Sequence, residues 1–150
     1  MIKLEILNKT KQSVSDKTFL SVLENAEKTL KSQKNPKYLK HPKGTINLYL
    51  ITDKEIQKIN KDFRKKDKPT DVISISYIES PIPFPSEENI GEIFISIPTA
   101  KIQAKINNHP LNKELQTLFV HGVLHIFGFT HETDKKLADI IGITEKILQL

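Results

Sequence analysis

Three of the chain's five histidines fall within the segment His121-Gly-Val-Leu-His125-Ile-Phe-Gly128-Phe-Thr-His131. On a helix, residues four apart stand one turn above each other on the same face, so His121 and His125 point the same way. Gly128 can end that helix in a left-handed turn and return His131 toward that face. Three imidazoles then share one metal ion and leave a fourth position open, which is the layout of a catalytic zinc site rather than a structural one. A core gains nothing from three titratable rings at this spacing, so His121, His125 and His131 are expected to ligate one Zn2+ per chain. The chain has no cysteine, which excludes disulfides and thiolate chemistry.

The same string matches the zinc-protease pattern H-E-x-x-H-x-x-G-x-x-H except at its second position, where Gly122 stands. In those proteases the glutamate takes a proton from the metal-bound water, so its absence removes the main reason to expect peptide hydrolysis. Glycine inside a helix costs about 0.5–1 kcal/mol relative to alanine. Gly122 is therefore expected where a neighbouring strand or helix approaches closely.

The formal charge is +5, with a sequence pI near 9.3, which favours a polyanionic partner. Two basic clusters contribute. Lys28, Lys31, Lys34, Lys37, Lys40 and Lys43 follow one another without an intervening acid, and Lys61-Asp-Phe-Arg64-Lys65-Lys66-Asp-Lys68 lies between two predicted elements. The first is as readily a solvated face as a nucleic-acid contact. The second holds the only arginine in the chain, against twenty-two lysines. Arginine alone offers a planar, permanently charged fork that grips two phosphate oxygens at once. The cluster ends in Pro69-Thr-Asp71 just before a strand, which predicts a shaped loop.

These residues need a scaffold. At 150 residues and 17.2 kDa the chain is expected to be a single domain, residues 1–150, large enough for a proper core. It lacks a long apolar run, and its alternating start, Met1-Ile-Lys-Leu-Glu, lacks a signal region, so a soluble cytoplasmic protein without a membrane partner is expected. Ile2, Leu4 and Ile6 alternate as a first strand, and Phe19, Leu20, Leu23, Ala26 and Leu30 follow helical spacing behind Ser15 as N-cap. Thr45 to Ile51 reads as a buried strand, and Thr52-Asp-Lys-Glu55 as a capping box opening a helix through Ile56, Ile59 and Phe63. Strands are expected from Asp71 to Tyr77 and from Gly91 to Ile97, separated by a proline-rich flap or, more plainly, a connecting loop. A helix from Pro98 to Asn107, the histidine helix from Leu111 to Phe127, and a last helix capped near Thr133 complete the chain. That last helix is expected to turn Leu137, Ile140, Ile141, Ile147 and Leu148 inward. The expected fold is α/β: a small mixed sheet flanked by helices, with a zincin-like metal-binding helix near the C-terminus.

The strings Arg64-Lys-Lys-Asp-Lys-Pro-Thr-Asp-Val72, Gly91-Glu-Ile93 and His121 to His131, in that order and at those separations, resemble the bacterial YbeY family of rRNA maturation factors. The resemblance covers essentially the whole chain. It implies a zinc-binding, single-strand-specific endoribonuclease linked to maturation of the small-subunit rRNA 3′ end and to ribosome quality control, with single-stranded RNA, rRNA and the ribosome as partners and no DNA. By match it carries over His121, His125 and His131 as zinc ligands and Arg64 as the essential arginine. Thr130, Glu92 and Ile75 depart from the family's usual aspartate, aspartate and phenylalanine. Zinc would lower the pKa of its water while Arg64 stabilises transition-state charge, and Lys65, Lys66 and Lys68 are the expected RNA contacts. The proton acceptor stays open among the metal-bound hydroxide, a substrate group and an acid such as Asp71. A rival reading is a non-catalytic, zinc-stabilised RNA-binding assembly factor in which Glu132 or Asp134 closes the coordination sphere; a peptidase is the third.

Overall fold

The computed structural model describes residues 1–78 and 88–150; the expected proline-rich flap lies largely outside the described residues. In chain order the elements are β1 (Ile2–Asn8), α1 (Lys17–Ser32), α2 (Pro36–Lys40), β2 (Gly44–Ile51), α3 (Asp53–Arg64), β3 (Val72–Ser76), β4 (Asn89–Ser96), α4 (Ile97–Ile106), α5 (Leu111–Ile126) and α6 (Asp134–Leu148). Four strands form one mixed sheet in the order β1-β2-β4-β3, with β1, β2 and β4 parallel and β3 antiparallel to β4. The α/β expectation therefore holds.

Alternation along the strands sorts the apolar residues into two layers. Ile46, Leu48 and Leu50 of β2 and Ile93 and Ile95 of β4 face α1 and α5, where they join Phe19, Leu30, Leu118, Phe119 and Val123 in the main core. Phe19 meets Phe119 edge-on, with ring centroids 5.3 Å apart. On the other face a smaller cluster of Ile51, Ile56 and Ile73 seats α3.

The histidine helix sits against β4 through two reciprocal contacts. A Cβ on Gly122 would come within 2.9 Å of Ile93, and one on Gly91 within 2.5 Å of Ile126. Each glycine thus receives an isoleucine from the opposite element, and the close approach expected at position 122 is an approach to β4.

Several boundaries differ from the expectations. Asp16, not Ser15, precedes α1, and it makes no capping hydrogen bond with its side chain. The α4 helix begins at Ile97, because Ser96 caps it by accepting from the Thr99 amide at 3.2 Å. The short α2 was not expected at all. Its signal is Asn35-Pro36, an N-cap side chain followed by a residue preset for the first turn, and Asn35 accepts from the amides of Lys37 and Tyr38. Leu20, Leu137, Ile141 and Phe63 were expected inward but are 47%, 42%, 46% and 66% exposed. On α6 only the stripe through Ile140, Thr144 and Ile147 is fully buried.

Candidate active site

The α5 helix carries His121 and His125 one turn apart. It ends as the spacing predicts: Gly128 takes a φ of 97°, and the Phe129 amide bonds back to Leu124 O at 3.0 Å. That turn sends the chain back toward the helix, and His125 and His131 come to lie with ring centroids 5.6 Å apart. The Arg64 loop approaches from the other side. Lys65 ends α3 in the left-handed conformation, with a φ of 59°. Buried Asn60 then gathers the following residues: its Nδ2 donates to Lys68 O at 2.9 Å, and its own carbonyl accepts from the Lys66 amide at 3.3 Å. The Gln57 amide adds a bond to Asp67 at 3.0 Å.

These elements enclose a cavity of about 480 Å³. His121, His125, His131 and Arg64 all line it, together with Thr70, Asp71 and Ser74 and apolar residues that include Val72, Leu137 and Ile140. The structure thus brings the four principal sequence-predicted residues to one place. Lys65, Lys66 and Lys68 are not in its lining but stand exposed on the adjacent loop.

Burial lowers the His121 pKa from its ordinary 6.5; the charges of Asp71 and Glu114 oppose that shift, and His131 reinforces it. The net effect favours the neutral imidazole, which is the form that ligates metals. Glu114 lies two turns earlier on α5 and is nearly buried, paired through Oε2 with His109 Nε2 at 2.5 Å.

The donors fit a zinc-type ion in chemistry and grouping. Two imidazoles each bound about 2.0–2.1 Å from a shared ion have ring centroids roughly 5 Å apart, close to the His125–His131 separation. As the side chains stand, however, no group of three His, Asp or Glu residues among the described residues converges tightly enough to hold an ion. Completing the set requires the rings to swing toward a common point.

Sequence reasoning missed two contributors. Asn60 sits four residues after Ile56 on the inward stripe of α3, where a polar residue needs partners, and that was its available signal. Phe63 has the spacing of a core residue but borders the cavity. Of the departures from the family pattern, Glu92 lies on the sheet face opposite α5 and accepts from the hydroxyls of Tyr77 at 2.8 Å and Tyr49 at 3.3 Å. Burial and the Glu92 hydrogen bond push the Tyr77 pKa up to about 12.

The profile of the family described as Endoribonuclease YbeY matches residues 5–150. Relatives named endoribonuclease YbeY include one from Prochlorococcus marinus, 38% identical over 109 residues that cover 71% of this chain and 58% of that protein. One from Aster yellows witches'-broom phytoplasma is 36% identical over 107 residues, covering 71% of this chain and 73% of the relative. Another from Synechococcus elongatus is 40% identical over 107 residues, covering 69% of this chain and 60% of the relative. This chain thus spans less than two thirds of the length of the first and third. The solution structure of a Thermotoga maritima protein superposes with a TM-score of 0.51 at 26% identity, covering 96% of this chain and 88% of that one.

Proposed function

The chain belongs to the endoribonuclease YbeY family, and from that premise we propose that it is a zinc-dependent, single-strand-specific endoribonuclease. Its proposed work is maturation of the small-subunit rRNA 3′ end and ribosome quality control, in the cytoplasm, with rRNA and the ribosome as partners. Among the described residues, no helix is long and apolar enough to cross a membrane. The observation that carries the reading is convergence: Arg64 at the end of α3, His121 and His125 on α5, and His131 after the Gly128 turn reach one cavity from three parts of the chain.

His121, His125 and His131 would hold the ion, which when bound supplies a water of lowered pKa and a Lewis acid for a phosphoryl oxygen. Arg64 is the catalytic residue of the loop. Its fork takes two non-bridging phosphate oxygens and stabilises the charge that gathers on them as the phosphodiester is cleaved. Val72, Leu137 and Ile140 supply an apolar lining, which strengthens these polar interactions by limiting water. Lys65, Lys66 and Lys68 would attract the flanking backbone.

The two rivals each lack a part. A protease base at position 122 has no room, since the first carbon of any side chain there already meets Ile93. An assembly factor with a closed zinc site needs Glu132 or Asp134 in the cavity, yet neither lines it, and Glu132 pairs with Lys136 at 3.6 Å. Incubating zinc-loaded protein and its His121→Ala variant with single-stranded RNA and with casein tests the reading. Only RNA should be cut, and only by the wild type. Intact RNA would end the nuclease proposal in favour of the assembly factor.

A further inference from the structure

Asp71 is the one acid among the described residues that line the cavity. Its carboxylate is braced by the protein: Oδ1 accepts from the Val72 amide at 2.7 Å and the Thr70 hydroxyl at 3.4 Å, and Oδ2 from the Gln103 side-chain amide at 3.3 Å. The Ser96 amide donates to its backbone oxygen at 2.9 Å, tying the residue to the end of β4. A carboxylate offers about four acceptor sites, so this bracing fixes the group without exhausting it.

A negative group in the wall of a phosphate-binding cavity works against phosphate binding unless nearby positive charge balances it or it meets a donor on the same ligand. Arg64 shares that wall and makes no ion pair with Asp71. Opposite charges that line one cavity without pairing are complementary to a ligand that carries an anion and a hydrogen-bond donor in one unit. Among polynucleotides the ribonucleotide is such a unit, with its phosphate and the 2′-hydroxyl that DNA lacks.

We propose that Asp71 is a specificity-determining residue: it accepts a hydrogen bond from the ribose 2′-hydroxyl of the nucleotide whose phosphate Arg64 grips, and so makes the cavity selective for RNA over DNA. The inference rests on the ribonuclease reading of the same cavity. No proton needs to leave the sugar for this role, which separates it from general-base catalysis.

The test is fluorescence anisotropy of full-length protein, with and without added Zn2+, on labelled single-stranded RNA and DNA of one sequence, with probes checked for integrity by gel. Wild type should bind RNA at least about tenfold more tightly than DNA, the scale of one hydrogen bond to a charged group. In Asp71→Ala that ratio should fall to within about twofold through weaker RNA binding, with Asp71→Asn intermediate. Gln103→Ala, which removes only a brace, should keep the preference. If Asp71→Ala fails to fold by circular dichroism, Asp71→Asn carries the test, because it preserves shape. A preference left at its wild-type size in a folded Asp71 variant, or missing from wild type, overturns the inference. Zinc-loaded wild type that prefers RNA but leaves it uncut sinks the nuclease reading alone.

Discussion

On one side of the cavity His121 and His125 ride a 16-residue helix whose apolar stripe, from Leu115 to Ile126, is buried in the core. On the other, Arg64 and the residues through Pro69 are exposed, and Asn60 and a few further hydrogen bonds hold the loop. The helix wall is fixed by packing, where interiors resist even a single added methyl group. The loop wall is fixed by polar bonds, each contributing about 0.5–1.5 kcal/mol. The same cavity thus takes two of its three metal-type donors from a part that cannot easily move and its phosphate-type donor from a part that can. Damage to the packing behind the first should appear mainly as lost stability, and damage to the second mainly as lost turnover.

The largest expected effect lies on the loop wall. If Arg64 only adds charge, Arg64→Lys should be nearly silent, because twenty-two lysines already set the field. If it clamps two phosphate oxygens, lysine loses the second hydrogen bond and the fixed plane. Losing one oriented donor costs about 2.7–4 kcal/mol in the transition state, a hundred- to a thousand-fold in rate. Single-turnover cleavage should show that loss while zinc content and melting temperature hold. A lysine variant within about threefold of wild type would end the clamp, since that difference is under 1 kcal/mol.

The helix wall should respond in the opposite sense. In Gly122→Ala the new methyl meets three carbons of Ile93 at 2.9–3.1 Å, and Ile93 is fully buried. Overpacking of this kind costs about 1–3 kcal/mol. Alanine's better helix propensity returns only about 0.5–1 kcal/mol. The denaturation midpoint should therefore fall; an unchanged or raised midpoint would show that α5 rides on β4 more loosely than its contacts indicate.

The two walls also differ in how well they could be read from sequence. Helix periodicity, the i, i+4 histidines and Gly128 are local signals, and the structure has the helix, both histidines lining one cavity and the left-handed turn at Gly128. Gly122 could be read as a close approach, although its partner Ile93 lies across the fold. The loop wall depends on contacts that local patterns do not encode. Nothing near Asn60 announces that its side chain reaches Lys68, and Phe63 follows the inward spacing of α3 yet remains 66% exposed because the helix ends at the cavity. Leu137 escapes the core of α6 for the same reason, since it borders the cavity. Apolar spacing predicts burial only where a partner surface exists.

A pH scan sharpens the helix side further. Burial, the leading cause, lowers His121 from 6.5, so below that value the unfolded chain binds a proton that the folded chain refuses. Stability should then rise with pH through this window and fall as pH drops from 6.5 toward the lowered value. Metal-free protein should melt at lower temperature as pH is taken from about 7 to 5, and His121→Asn should flatten that trend. Equal slopes in both proteins would place the titration elsewhere.

The smallest expected effect separates the loop wall from the other basic segment. In sequence the second lysine cluster is set apart by its arginine; in the structure it is also set apart by its place beside the cavity. Lys28 is paired with Glu24 at 3.2 Å, and α2 is anchored on the residue that follows α5, where Tyr38 packs edge-on against Phe127 at 5.5 Å and Asn35 donates to the Phe127 carbonyl at 3.4 Å. Lys65, Lys66 and Lys68 instead follow directly on Arg64 and stand exposed, within reach of the backbone of a strand whose phosphate Arg64 grips. Each phosphate they contact should add about −0.7 to the log-log slope of RNA affinity against salt, because counterions are released there. Replacing these three lysines with glutamine should flatten the slope by up to about 2, while glutamine at Lys31, Lys34 and Lys40 should leave it unchanged. Lysines at the loop would then lengthen the grip that Arg64 begins, without touching the chemistry. The reverse result would move the RNA path to the α1–α2 end of the molecule and leave Arg64 to act on a strand that arrives from that side.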